Sequence, residues 1–192
     1  MRVMSRALLV LAFAACAGPS QVVEPAPLPP APQPAAAPPA RGGDVPPAAL
    51  RGLLAVHNQL RSRHCAPALT WSRRLTQVAQ AWADRLARRC ALEHSRGRLG
   101  ENLAAGTAGS MSAADVARLW YGEVRGYNFR RGGFSMNTGH FTQLVWRSSA
   151  QLGCGTSVCR GLQIWVCNYD PPGNVQGHFP RNVLPQSCRA SR

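Results

Sequence analysis

Six of the chain's seven cysteines lie between positions 65 and 188, and the seventh, Cys16, stands alone near the start. Six cysteines suffice for three disulfides, which persist only in an oxidising compartment. The count therefore asks for an exported protein. The first residues supply the means: "MRVMSR" is basic, and "ALLVLAFAACAG" is an apolar run of about a dozen residues. A membrane-spanning helix needs roughly 20, so head, short apolar core and small-residue end read as a secretory signal over residues 1–17. Two processing routes account for Cys16. Cleavage after Ala17 would free the chain at Gly18. Alternatively, Ala14-Ala15-Cys16 has the form of a bacterial lipobox, which would make Cys16 a lipidated first residue. Lipidation is the favoured expectation.

Residues 18–47 follow as a linker. Eleven of the sixteen prolines fall there, with alanine filling most of the rest. Such a segment has little to bury. As polyproline II, at about 3.1 Å per residue, it would reach about 90 Å. That leaves residues 48–192 as one domain, large enough for a core. All 22 basic residues are arginine, against 8 acids. The surplus suits anionic envelope surfaces, such as lipid head groups or lipopolysaccharide phosphates. It is equally what a GC-rich genome writes. No basic stripe is interleaved with aromatics and no nucleic-acid motif is present, which excludes nucleic acid as a partner.

Pro46-Pro47 opens a helix carrying Leu50, Leu53, Leu54, His57 and Arg61. In "TWSRRLTQVAQAWADRLARRC", Leu75, Val78, Ala79, Trp82 and Leu86 recur at helical spacing. Irregular chain follows ("ALEHSRGRLGENLAAGTAGSM"), and then Ser112-x-x-Asp115 forms a capping box for a third helix with Val116, Leu119 and Trp120 on its apolar face. A fourth helix buries Phe141, Leu144 and Val145. "AQLGCGTSVC" and "LQIWVCNY" read as strands flanking a tight turn at Arg160-Gly161, and "DPPGN" ends the second. Helices followed by an antiparallel pair give an α+β class.

Some polar residues do not fit this packing. Glu123 continues the apolar stripe of the third helix, where a carboxylate is costly unless paired or in reach of solvent. His140 stands in the first turn of the fourth helix, where the helix dipole favours a neutral ring able to bind metal or accept a proton. A ring merely donating to a carbonyl fits that place equally well. His94, Glu101 and Asn102 lie on the irregular segment. Acids are scarce, so two glutamates in such places narrow the field, yet spacing alone does not bring these residues together. There is no His-Glu-x-x-His. "GFSMN" misses the Gly-x-Ser-x-Gly elbow at its last position, and Cys90-x-x-x-His94 reads better as disulfide chemistry than as a metal pair.

Four stretches carry a resemblance: "HNQLR" (57–61), "HSRGRLGENL" (94–103), "GHFTQLVWRSSAQLGCG" (139–155) and "CNYDPPGN" (167–174). In order and spacing they resemble the CAP superfamily of cysteine-rich secretory, antigen 5 and pathogenesis-related proteins. The likeness spans residues 50 to 175 and is to a bacterial member nearest the plant pathogenesis-related branch. It implies a three-layer α-β-α sandwich around a central antiparallel sheet. It also implies a cleft lined by His94, Glu101, Glu123 and His140, with a divalent ion, often zinc, on the two histidines and the glutamates orienting the rings. It pairs Cys90 with Cys159 and Cys154 with Cys167, and leaves Cys65 for Cys188.

The function this resemblance implies is that of a ligand-binding or effector module with no organic cofactor. Lipid- or sterol-like ligands suit it, and membrane contact would run only through an N-terminal lipid anchor. The protein would be an outer-membrane lipoprotein, or secreted or periplasmic. The alternative is a zinc-dependent hydrolase or protease, with Glu101 or Glu123 as general base. A third reading makes the four polar residues a rigid structural cluster and leaves function to the surface.

Overall fold

A computed structural model describes residues 44–186. The signal region, Cys16, the linker up to residue 43 and Cys188 lie outside the described residues, and with Cys188 goes the expected Cys65–Cys188 bond.

The helix that packs on the sheet is the best defined by local chemistry. α2 (Arg73–Arg89) is capped by the Ser72 hydroxyl, which accepts the Leu75 N–H, and it ends at Cys90 in the left-handed conformation (φ 47°). Its buried face is Leu75, Ala79, Ala83 and Leu86. Val78, expected on that face, is 43% exposed. The stripe is narrow because α2 sits almost on the backbone of the neighbouring strand. A Cβ on Gly153 would lie 2.3 Å from Thr76 N, and one on Gly155 would lie 2.4 Å from Gln80 Cα. Only glycine permits so close an approach.

The sheet has four strands in the order β1-β3-β4-β2. β3 (Gln151–Cys159) and β4 (Leu162–Asp170) form the expected hairpin, turning at Arg160 and Gly161 with positive φ at both. β2 (Gly100–Thr107) pairs antiparallel with β4 over its whole length, from Gly100↔Tyr169 to Thr107↔Leu162. The sequence reading of this stretch as irregular is thus corrected. "GENLAAGT" lacks β-branched residues until its end, and cross-strand pairing to β4 decides the matter where propensity does not. β1 (Thr70–Trp71) joins β3 in parallel, so the sheet is mixed, antiparallel across its three long strands.

The alternation of β4 separates two cores. Ile164 and Val166 face α2 with Leu103. Trp165, Cys167 and Tyr169 face the opposite layer, built from α1 (Arg51–Ser62), α3 (Ala113–Gly122) and α4 (Gly139–Leu144). This is the α-β-α sandwich. Ser112 and Asp115 form the predicted capping box of α3. Val116, Ala117 and Trp120 are its buried face, while Leu119 is turned outward. A short α5 (Phe179–Asn182) closes the described chain. Among the described residues two of the expected disulfides are formed: Cys90–Cys159 ties the end of α2 to the tip of β3, and Cys154–Cys167 links β3 to β4 within the sheet.

Candidate functional site: two imidazole–glutamate pairs at one cleft

The start of β2, the first turn of α4 and the loop after β4 meet around a cavity of about 300 Å³. Gln143 of α4 fixes the approach. Its side chain is buried, its Oε1 accepts the Gly173 N–H at 2.8 Å, and its Nε2 donates to Ser149 Oγ at 3.2 Å. A Cβ on Gly100 would lie 2.2 Å from Gln143 Oε1, and one on Gly173 would lie 2.7 Å from its Nε2. Three of the four motif stretches therefore interlock through one amide passing between two glycines.

His94 Nδ1 donates to Glu101 Oε1 at 2.8 Å, and the same oxygen accepts the Ser95 N–H at 2.9 Å. The Glu101 hydrogen bond holds the His94 ring above the ordinary imidazole pKa, against the opposing effect of burial. Burial alone would push the Glu101 carboxyl up; the His94 and Ser95 hydrogen bonds outweigh it and leave the group below its usual range. The second oxygen, Glu101 Oε2, is enclosed with no hydrogen-bond partner among the described residues.

Glu123 does the same for His140 from another layer. Its Oε1 accepts from His140 Nδ1 at 2.6 Å, and its Oε2 accepts the N–H groups of His140 (3.0 Å) and Phe141 (3.1 Å). The carboxylate thus serves as the missing cap of α4, whose Thr138 makes no side-chain cap bond. That explains a carboxylate on the core-facing stripe of α3: it is paired rather than solvated. His140 also stacks over Trp120, with ring centres 6.3 Å apart.

His94, His140 and Glu101 line the cavity. Glu123 does not, contrary to expectation, because it stands behind His140 and the first turn of α4. Both rings spend Nδ1 on a carboxylate, which fixes the tautomer and leaves Nε2 as the free nitrogen. Two imidazoles are half of a tetrahedral zinc shell. Among the described residues, no group of three or more His, Cys, Asp or Glu could hold a metal ion. An ion held on the two imidazoles alone would have to take its remaining ligands from water or from a bound molecule. The floor adds Asn102 and Gln143, and Leu99, Phe134, Met136 and Pro172 make an apolar rim.

A buried chain of hydrogen bonds supports this floor, and the sequence alone did not reveal it. His57 Nδ1 donates to Leu53 O (2.7 Å), and its Nε2 accepts from Tyr169 Oη (2.8 Å). Asn102 Nδ2 then donates to both Tyr169 Oη (3.1 Å) and His140 O (3.0 Å). Arg61 is wholly buried and donates to four carbonyls, those of Pro67, Leu144, Trp146 and Ser149. His57, Arg61, Asn102 and Tyr169 all belong to the quoted motif stretches. Those strings were the available signal, but not what the residues in them do.

Comparison with known proteins agrees with the fold. The family model described as the cysteine-rich secretory protein family, CAP, matches residues 54–169. "Repressed by EFG1 protein 1" of Candida albicans is 43% identical over 146 residues, covering 69% of this chain and 52% of that protein. The chain thus spans about half the length of that relative. The human Golgi-associated plant pathogenesis-related protein 1 is 39% identical over 140 residues, covering 69% of this chain and 90% of its own. Pathogenesis-related protein 1A of Nicotiana tabacum is 39% identical over 130 residues, covering 66% and 77%. Among solved structures, that of NaASP2 with Zn2+ superposes with a TM-score of 0.54 at 25% identity, covering 71% of this chain and 86% of that one. On its fold, its four motif stretches and these relatives, the chain belongs to the CAP family of cysteine-rich secretory proteins.

Proposed function

We infer that this is an exported CAP-domain protein acting as a ligand-binding or effector module, whose cleft holds a divalent metal ion, zinc first, on His94 and His140. One observation carries the reading: two imidazoles, each held at Nδ1 by a carboxylate, line the same cavity. Zinc bound there would supply Lewis acidity and a coordination position for a ligand atom. The apolar rim of Leu99, Phe134, Met136 and Pro172 suits an amphiphile, lipid- or sterol-like, lying over that polar floor. Two disulfides fit an exported protein. With the basic leader, the lipobox-like Cys16 and the proline-rich segment, they support a bacterial envelope protein on a tether, nearest the plant branch of the family.

The geometry favours binding over hydrolysis. A general base must reach the proton it removes, yet Glu123 has both oxygens engaged at the head of α4, and Glu101 has one oxygen in hydrogen bonds and the other enclosed.

Zinc titration by calorimetry tests the reading. The wild-type protein should give a saturable heat that the His94→Ala/His140→Ala variant loses, and equal, negligible heats for both would end the metal proposal. Mass spectrometry of lipids extracted from the native protein tests the ligand class. Palmitate labelling of wild type against Cys16→Ser tests the anchor, and unchanged labelling in the variant would refute it.

A further inference from the structure

Between Glu123 and Asp170 the chain contains no acidic residue. Within that span the loop leading into α4 carries Arg125, Arg130 and Arg131, all exposed. No carboxylate pairs with any of the three among the described residues. Arg181 is exposed on α5, which packs against the same loop: a Cβ on Gly132 would touch Phe179 and Pro180. The nearest acid in sequence, Glu123, is spent on His140 and the head of α4. Next to these arginines stand Phe134, 51% exposed, and Met136, 77% exposed. The Phe134 ring passes close over Gly139, 3.0 Å from where a Cβ there would be, and it walls both the cleft and a neighbouring cavity that Arg131 lines.

Unpaired arginines beside outward-turned large apolar side chains are the composition of a surface that meets an anionic bilayer. The guanidinium groups sit among the head groups, and the apolar side chains enter the acyl boundary. A soluble polyanion would use the arginines and gain nothing from Phe134 and Met136. The β3–β4 turn offers a rival patch in Val158, Arg160 and Leu162. Arg160 there is likewise exposed without a carboxylate partner among the described residues, but that patch names one arginine where the loop and α5 together carry four.

We propose that the loop from Arg125 to Met136, with Arg181, is a docking surface for anionic lipid bilayers that turns the mouth of the cleft toward the membrane. It goes beyond the metal reading and does not depend on it, since none of these residues supplies a donor to the two imidazoles. It is also separate from an acyl anchor at Cys16.

Vesicle co-sedimentation of the full chain carrying Cys16→Ser tests it, using phosphatidylcholine vesicles with and without phosphatidylglycerol. Binding should require phosphatidylglycerol. Arg130→Glu/Arg131→Glu should weaken it about tenfold or more. Arg88→Glu/Arg160→Glu, with the same change of net charge at the other end of the sheet, should stay within about twofold. Phe134→Ser/Met136→Ser should weaken binding severalfold and make what remains more sensitive to salt. Equal losses in the two charge-reversal variants would overturn the assignment in favour of general polycation attraction. Unchanged binding by Phe134→Ser/Met136→Ser would overturn it in favour of a soluble polyanion. No binding to either vesicle would overturn it outright, with the zinc titration still free to succeed.

Discussion

His57 is fully buried, and burial pulls its pKa down from 6.5 to about 4. It stays neutral, donating at Nδ1 and accepting at Nε2. The unfolded chain therefore takes up this proton before the folded one does. Its contribution to stability is complete above about pH 6.5 and is lost as pH falls toward 4, by about 3 kcal/mol in all. His64, also lowered by burial, acts in the same direction. Urea unfolding at pH 7 and pH 4.5 should show this loss in the wild type and a clearly shallower one in His57→Gln; equal slopes would dismiss His57 as the source. Arg61 poses a different test. Burial lowers it to about 10, so it remains charged at neutral pH, with four carbonyl acceptors and no carboxylate. Lysine keeps the charge but lacks the planar fork that reaches several acceptors at once. Arg61→Lys should cost about 3 kcal/mol in the same assay. "HNQLR" was legible as a string, but neither role was. Both are set by partners more than 80 residues away, Leu144 and Tyr169, and no local pattern encodes them.

Elements whose identity is local were legible, and those that depend on a distant strand were not. α2 has its cap, its periodicity and its left-handed stop within its own residues, as α3 has its capping box. The turn at Arg160-Gly161 likewise needs nothing beyond itself. β2 needs β4, which begins 62 residues after β2 does, and its small residues give no propensity to read in advance. The exposure of Val78 has the same kind of cause. A helical stripe predicts which side chains face inward, but the glycines of β3 set how near the helix comes. The closeness makes a sharp prediction. Gly153→Ala would put a methyl group 2.3 Å from Thr76 N and 2.5 Å from Leu75 C. Backbone cannot rotate away as a side chain could, so α2 must lift from the sheet. A loss of about 3 kcal/mol in urea unfolding is expected. A near-neutral effect would show that helix and strand do not touch there.

The cleft exists only at the scale of the whole molecule. His94 and Glu101 sit seven residues apart on one segment, His140 and Glu123 seventeen apart on two helices. Nothing in either spacing says that the two histidines line one cavity. Resemblance to a family placed them together where spacing could not. The strand order, with β2 beside β4, then supplies the physical reason, since it carries the start of β2 to the head of α4. The disulfides hold this arrangement unequally. Cys90–Cys159 spans 69 residues, and Cys90 is exposed at the end of α2. Cys154–Cys167 spans only 13 and is wholly buried between the sheet and the α1/α3/α4 layer. A thiolate reductant must reach sulfur to attack it, so the first bond is open to attack in the native state and the second only after global unfolding. Losing the longer bond relaxes a larger loop in the unfolded chain, a cost of about 4 kcal/mol. Under mild reduction without denaturant, alkylation followed by peptide mass mapping should label Cys90 and Cys159 well before Cys154 and Cys167. The second pair should appear only in step with loss of native fluorescence. Simultaneous labelling of all four would mean that α2 and the hairpin do not open separately from the rest, and that the Cys90–Cys159 tie is as deep in the folding unit as the buried one.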